Sequence, residues 1–232
     1  MRSKRNRLGL FVVIGFAALT GIAGCGDDEE ELGDAGVVRL TDGEIGNILI
    51  VSNQNELSVA QLAQTHGTQN QVRDYANRVL AEDAAALNRT QTILNGQMIV
   101  AADSDESRQL VNQTKALTTQ LNAVSGSSFD LTYMCSEIRT HLQLISLIDT
   151  RLIPDVQNPV LASELQTERV LEQNQLAQAQ LIVQSFAPQG SVPLATPLTD
   201  GGLVDTTTEA AVCANFGGIV PLPLPVTGVT TN

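Results

Sequence analysis

One histidine of this sequence occupies a position in the middle of an apolar stripe. Between Ser125 and Pro154 apolar residues recur at helical spacing, and His141 falls in line with Ile138 and Ile145. An imidazole there can bind a transition metal, transfer a proton or hold a buried hydrogen bond. The interpretation that we favour from the sequence is a mostly buried His141, hydrogen-bonded to a carboxylate or a backbone group, that serves packing and helix register.

Three further polar residues fall on or beside the apolar stripes of other predicted helices: Glu56, Asp83 and Asn174. Because a buried polar group without a partner costs about 1–3 kcal/mol, we expect these side chains and His141 to contact one another or water. They form either a hydrogen-bonded cluster that fixes helix register or a metal site with carboxylate and imidazole ligands. A residue whose helix face is assigned wrongly would instead be exposed. The candidate metal ligands are Glu56, Asp83 and His141. The sequence favours the first interpretation, so we expect no metal, no cofactor and no catalytic residue.

Signatures of the common enzyme classes are missing from the sequence. It contains no Gly-x-Ser-x-Gly elbow, no P-loop and no dinucleotide fingerprint. The formal net charge of -12 at pH 7 repels phosphate backbones and anionic lipid head groups, which argues against nucleic acid as a partner. The sequence therefore predicts a structural or binding role without catalysis, and it identifies no protein or small-molecule partner.

The elements that must position these residues are predicted to be helices. Apolar spacing and helix-ending residues predict five of them, at about 42–66, 70–94, 105–124, 128–152 and 159–186. Thr41 and Glu44 form a capping box before the first helix, and we expect Pro154 to end the fourth. Because the connections are short, the helices should pack as antiparallel neighbours. The predicted fold is all-α, an up-and-down bundle of four to five helices.

The first 24 residues are typical of a secretion signal, with a basic start and an apolar run at 8–19. The following Ile22-Ala23-Gly24-Cys25 resembles the lipobox of bacterial lipoproteins, so we expect cleavage before Cys25 and lipidation of that cysteine. The alternative is an ordinary signal peptide that contains a cysteine by chance. The expected location is the bacterial cell envelope, lipid-anchored to the membrane and facing the periplasm. Gly26 in place of Asp favours the outer membrane.

The predicted domain organisation has four parts: a signal peptide at 1–24, an acidic tether at 25–40, the helical bundle at 41–187 and a Pro/Gly-rich tail at 188–232. Once Cys25 is lipidated, Cys135 and Cys213 remain as an even pair in an oxidising compartment, where pairing is the usual outcome. A disulfide would join the tail to the fourth helix. The alternative is a tail whose thiol stays distant from that helix.

The stretch 42–179 resembles DUF4142, a family of bacterial proteins often described as outer-membrane proteins and grouped with ferritin-like helical bundles. The most specific match is Phe129-Asp130-x-x-Tyr133-Met134 followed by His141. Weaker matches are Asn55-Glu56 and Val72-x-x-Tyr75-Ala76. The resemblance implies a ferritin-like up-and-down bundle.

Two departures from the family pattern bear on metal binding. Members typically carry Asp-His in the second helix and another His late in the last helix, where this chain has Glu82-Asp83 and Asn174. Nor does the ferritin-type Glu-x-x-His pair occur; the nearest match is Glu137, four residues before His141. These departures remove most of the implied support for a histidine-dependent site.

Overall fold

The computed structural model describes residues 38–186 and Cys213. The predicted signal peptide and most of the predicted tether and tail, at 1–37, 187–212 and 214–232, lie outside the described residues. Leu40, the last residue of the predicted tether, is buried, and its amide donates to Asp155 Oδ2 at 2.9 Å. Chain packing therefore begins just before the first helix.

The described chain is helical, which confirms the predicted all-α bundle, and no strand occurs in the part of the chain that is described. The helices are α1 Asp42–His66, α2 Asn70–Gly96, α3 Asp105–Asn122, α4 Ser127–Leu147, α5 Ile153–Asp155 and α6 Pro159–Phe186. A π-helical turn, Ile148–Leu152, joins α4 to α5. None of these helices is long and apolar enough to cross a membrane, a finding limited to the described residues.

Local capping explains where α1 and α3 begin. The Thr41 hydroxyl accepts from the Glu44 amide, while Glu44 Oε2 accepts from the Thr41 amide at 2.8 Å. Ser104 and Ser107 exchange the same pair of bonds at the start of α3. Such reciprocal caps satisfy amides that have no partner within the helix. The start of each helix is therefore encoded within four residues.

The expectation that Pro154 ends the fourth helix is wrong. The π-helical turn carries the chain past Leu152, and helical geometry continues through Pro154 to Asp155. A proline has no amide to donate, which is tolerated in the first turn of a helical segment. The wider π turn, in which the Ile153 amide donates to the Ile148 carbonyl, reorganises the bonding just before that residue.

In the bundle, α1 packs against α2 and α3, while α6 packs against α4 and α2. Two apolar clusters occupy opposite ends of the interior. One contains Tyr133, Met134 and Phe129, and the other contains Ile45, Ile48 and Leu161. Each of α1, α2, α4 and α6 contributes residues to both clusters. The helical segments between the two clusters carry buried polar side chains, which meet in the middle of the bundle.

The structure places Cys135 of α4 and Cys213 as a pair, with Cα atoms 5.7 Å apart. This separation lies within the range that disulfides adopt. The two cysteines are therefore capable of the predicted disulfide, which would hold one point of the tail against α4.

Candidate metal centre

His141 lies fully buried at the centre of the bundle. Its Nδ1 is 2.6 Å from Glu172 Oε2 on α6, and its Nε2 is 2.7 Å from the Tyr75 hydroxyl on α2. The predicted burial and the predicted hydrogen bond to a carboxylate are both confirmed. The carboxylate is that of Glu172, which the sequence analysis did not place inside the bundle.

The bond to Glu172 determines which imidazole nitrogen can bind a cation. When Glu172 is ionised, its carboxylate accepts the Nδ1 proton, and this leaves the lone pair of the neutral ring on Nε2. Metal-binding histidines almost always donate their second nitrogen to a carboxylate, a carbonyl or a water in this way. Nε2 of His141 is therefore the nitrogen available as a ligand.

Two carboxylates approach that nitrogen. Glu137 Oε2, on the same helix, is 3.7 Å from His141 Nε2. Ligand atoms of Glu56, Glu137 and His141 all lie within 4.8 Å of one another, and all three residues are buried. Glu56 Oε2 and Glu137 Oε2 accept no hydrogen bond from a neighbouring protein donor, so a shared proton, a water molecule or a cation must satisfy them. A buried charge without such compensation is costly.

Burial sets the acid–base properties of these groups. It raises the pKa of Glu137 to about 7, although the nearby imidazole opposes the shift. It also raises the pKa of Glu56 well above its ordinary value, with Glu137 and Asp83 adding to the effect. Burial raises the pKa of Glu172 to about 8 and lowers that of His141. Without a cation, the cluster therefore holds protons at neutral pH.

Asp83 lies beside this group rather than within it. It is buried on α2, and its Oδ1 accepts from Gln175 Nε2 at 2.9 Å, while its Oδ2 has no partner. Burial raises its pKa to about 8, partly offset by that hydrogen bond. Of the three predicted ligands, the structure brings together Glu56 and His141. Glu137 takes the place of Asp83 as the closest third carboxylate.

The prediction that Asn174 faces the interior is wrong. Asn174 is exposed, and so is Leu181, seven residues further along α6. The inward face of α6 instead carries a column of acids at intervals of four residues: Glu164, Glu168 and Glu172. In sequence this column has the appearance of a solvated face, because glutamate is almost never buried unless it is paired. The column can be buried only because residues on other helices bond to its carboxyl groups.

Two acids of this column, Glu164 and Glu168, lie beside an arginine. Arg89 Nε lies 3.0 Å from Glu164 Oε1, and Arg89 Nη2 lies 3.8 Å from Glu168 Oε2. Asn53 Nδ2 donates to Glu168 Oε1 at 2.8 Å. Among the described residues, no Lys or Arg forms an ion pair with Glu56 or Glu137. When Glu56 and Glu137 are ionised, no Lys or Arg of the described residues balances their charge through an ion pair.

A small cavity of about 30 Å³ lies between α1, α3 and α4 and reaches Glu56. Its lining combines leucines with polar residues that include Ser52, Asn55, Thr140 and Gln143. Within this lining, Gln143 Nε2 of α4 donates to Gln113 Oε1 of α3 at 2.9 Å. The space is about that of one or two water molecules, enough for a small ion but not for an organic substrate.

The motif Phe129-Asp130-x-x-Tyr133-Met134 has a structural role. Asp130 accepts the amides of Thr68 and Gln69 at 2.8 and 3.0 Å, together with the Thr68 hydroxyl. These bonds hold the start of α4 against the turn between α1 and α2. Phe129 stacks on Tyr133 at a centroid distance of 6.4 Å. The motif thus sets the position of α4, and with it that of Glu137 and His141.

Comparisons with known proteins returned one finding. No curated protein and no solved structure matched the chain. The model of a family described as a domain of unknown function, DUF4142, matches residues 29–182. This span is longer than the predicted resemblance and includes every residue of the candidate centre. The chain therefore belongs to the DUF4142 family.

Proposed function

We propose that this protein binds a metal ion in the middle of its helical bundle. Glu56, Glu137 and His141 Nε2 are the proposed ligands, and Glu172 orients the imidazole from the other side. The observation that carries the proposal is that ligand atoms of Glu56, Glu137 and His141 lie within 4.8 Å of one another, while each of the two glutamates has a buried oxygen without a protein partner. A cation is the partner that satisfies all three at once.

The distances support such a centre. Ligand atoms bound at about 2.0–2.2 Å from one ion lie about 3–4 Å apart. The separation of 3.7 Å between His141 Nε2 and Glu137 Oε2 falls in this range. Glu56 lies no farther than 4.8 Å from the other two ligand atoms, and we propose that its side chain moves inward when the ion binds. Mixed imidazole and carboxylate ligands favour first-row transition metals over calcium or magnesium.

Protons and metal compete for the same oxygens. The raised pKa values of Glu56 and Glu137 mean that an ion must displace protons on binding. Metal affinity should consequently rise with pH through the neutral range. We assign the cavity beside Glu56, between α1, α3 and α4, as the route by which the ion enters.

We also propose that the site operates at the cell envelope, on a bundle anchored through a lipidated Cys25. This part of the proposal rests on the signal and lipobox patterns of the sequence. Multiple acyl chains would hold the protein on the membrane despite its acidic surface. The assigned role is binding without catalysis, because the cavity beside the centre is too small for an organic substrate.

Metal content of the full-length protein, extracted from membranes, tests the proposal. After chelation, the apoprotein is titrated calorimetrically with Zn²⁺, Mn²⁺ and Fe²⁺. We expect about one ion per chain, with binding abolished in Glu137→Gln and in His141→Leu. Glu168→Gln is the matched control, since it removes a buried carboxylate bonded to Asn53. A correctly folded protein that takes up none of these ions would refute the proposal.

A further inference from the structure

A phenol lies next to the nitrogen that we assign to the metal. The Tyr75 hydroxyl is 2.7 Å from His141 Nε2, and Tyr75 is buried. Nε2 cannot accept a hydrogen bond from the phenol and bind an ion with the same lone pair. Metal binding must therefore change the bonding of Tyr75.

The position of the phenol suits a ligand. Two ligand atoms at right angles on an octahedral ion, with bonds of about 2.0–2.1 Å, lie about 2.9 Å apart. The Tyr75 oxygen and His141 Nε2 are already near this separation. An ion placed on Nε2 thus reaches the phenol oxygen with little movement of either helix.

The charge of the ligand set then selects the ion. Two ionised glutamates and one phenolate carry three negative charges, the imidazole is neutral, and an ionised Glu172 on its far side adds a fourth negative charge outside the ligand set. In a buried site an uncompensated charge is costly, so a trivalent cation balances this set and a divalent one does not. A strongly Lewis-acidic cation is also needed to remove the phenol proton near neutral pH, because burial raises the pKa of Tyr75 well above its ordinary value and a bound cation lowers the pKa of its ligands.

We infer that Tyr75 is a fourth protein ligand and that the centre takes up ferric iron, a hard trivalent cation. The inference rests on the proposed metal site. On binding, a bond forms between Fe(III) and the Tyr75 oxygen, the phenol O–H bond breaks and its proton leaves to solvent. The iron stays ferric, so no oxidant or reductant is required.

A second tyrosine provides a matched control. Tyr133 is also fully buried, and its ring lies 6.1 Å from that of Tyr75 in an edge-on arrangement. The imidazole hydrogen-bonds the phenol of Tyr75 and not that of Tyr133. Tyr133→Phe therefore removes a neighbouring phenol without removing the proposed ligand.

The test uses chelated full-length protein loaded with Fe(III) supplied as its citrate complex. We expect a visible phenolate-to-iron charge-transfer band that grows with bound iron, and phenolate vibrations enhanced in the resonance Raman spectrum. Tyr75→Phe should lose the band, and Tyr133→Phe should keep it. Ga(III), which is also hard and trivalent, should bind without giving the band.

The outcomes separate this inference from the proposed function. Uptake of Zn²⁺ or Mn²⁺ with no uptake of Fe(III) would support the proposed metal site and overturn the ferric inference. Colourless bound iron, or a band that survives Tyr75→Phe, would overturn the role of Tyr75. A protein that binds no ion would refute both. Because the spectrum of the wild-type protein alone reports phenolate ligation, the test does not depend on the folding of a variant.

Discussion

The side chains of His141 and Glu172 join α4 to α6 through a hydrogen bond of 2.6 Å between Nδ1 and Oε2, and both residues are buried. The bond directs the opposite ring nitrogen towards Glu137 and Tyr75. Glu172 therefore acts on the centre through the imidazole, as a positioning residue.

Replacing this carboxylate should weaken metal binding. In Glu172→Gln the amide can still accept the Nδ1 proton, but without the negative charge that makes the ring more basic. Loss of such an outer partner typically lowers metal affinity by about 10–100-fold. Calorimetric titration measures the change, with Glu168→Gln as the control of unchanged affinity. Equal affinities in the wild type and Glu172→Gln would exclude the assigned role.

The metal-free protein should lose stability as pH rises. Burial raises the folded-state pKa of Glu168 to about 8 from 4.5. The native state therefore holds more protons than the unfolded state between these values, and the free energy of unfolding falls across that window. This contribution is fully present below about pH 4.5 and is lost by about pH 8. Urea unfolding in the presence of a chelator measures the slope.

Glu168→Gln should make this slope shallower, because the amide does not titrate. Part of the slope should remain, because other acids of the cluster still titrate, among them Glu172, whose pKa is raised to about 8 by burial. A metal-free protein whose stability increases with pH over this range would contradict the burial of these carboxyl groups.

Joining Cys135 and Cys213 should stabilise the fold. A loop with 77 residues between the two cysteines corresponds to about 4 kcal/mol in the chain-entropy account, before any strain is subtracted. We expect Cys213→Ser to lower the free energy of unfolding by up to that amount. Thiol titration of unreduced, unfolded protein checks the bond directly, and two reactive thiols would show that the pair is not joined.

Replacing Asp130, in the motif Phe129-Asp130-x-x-Tyr133-Met134, should lower the stability of the protein. Asp130→Asn removes the charge that accepts two backbone amides and a hydroxyl. Hydrogen bonds to charged groups contribute about 1.5–3 kcal/mol, and we expect a loss of that order in thermal or urea unfolding. Asp149→Asn is the comparison, because its ion pair with Arg169 is partly exposed and should contribute about 1 kcal/mol or less.

Membrane attachment should depend on Cys25. Cys25→Ala removes the thioether-forming side chain, so we expect unprocessed or released protein in place of a lipidated membrane protein. Fractionation and intact mass measure this, the wild-type mass including the acyl chains. Normal processing of the variant, with retention in the membrane fraction, would rule out the anchor.

Helix limits were predictable because their determinants are local. The bounds of α1 and α6, 42–66 and 159–186, agree between the sequence-based prediction and the structure. Caps such as Thr41 with Glu44 act within four residues, and the apolar period of α1 correctly places Glu56 inside. The fourth helix was less predictable, since the π-helical turn before Pro154 depends on bonding that no short motif encodes.

The inward face of α6 was decided by tertiary structure alone. Its acids are separated by 115 residues from Asn53 and by 31 residues from His141, the groups that bond them. Along the sequence, glutamates at four-residue intervals indicate a solvated face. This interpretation places Asn174 and Leu181 on the buried side, although both are exposed. The sequence by itself determined the helices and the burial of His141. Which carboxylates surround the imidazole depended on partners from three other helices, because a buried acid is stable only where such partners meet it.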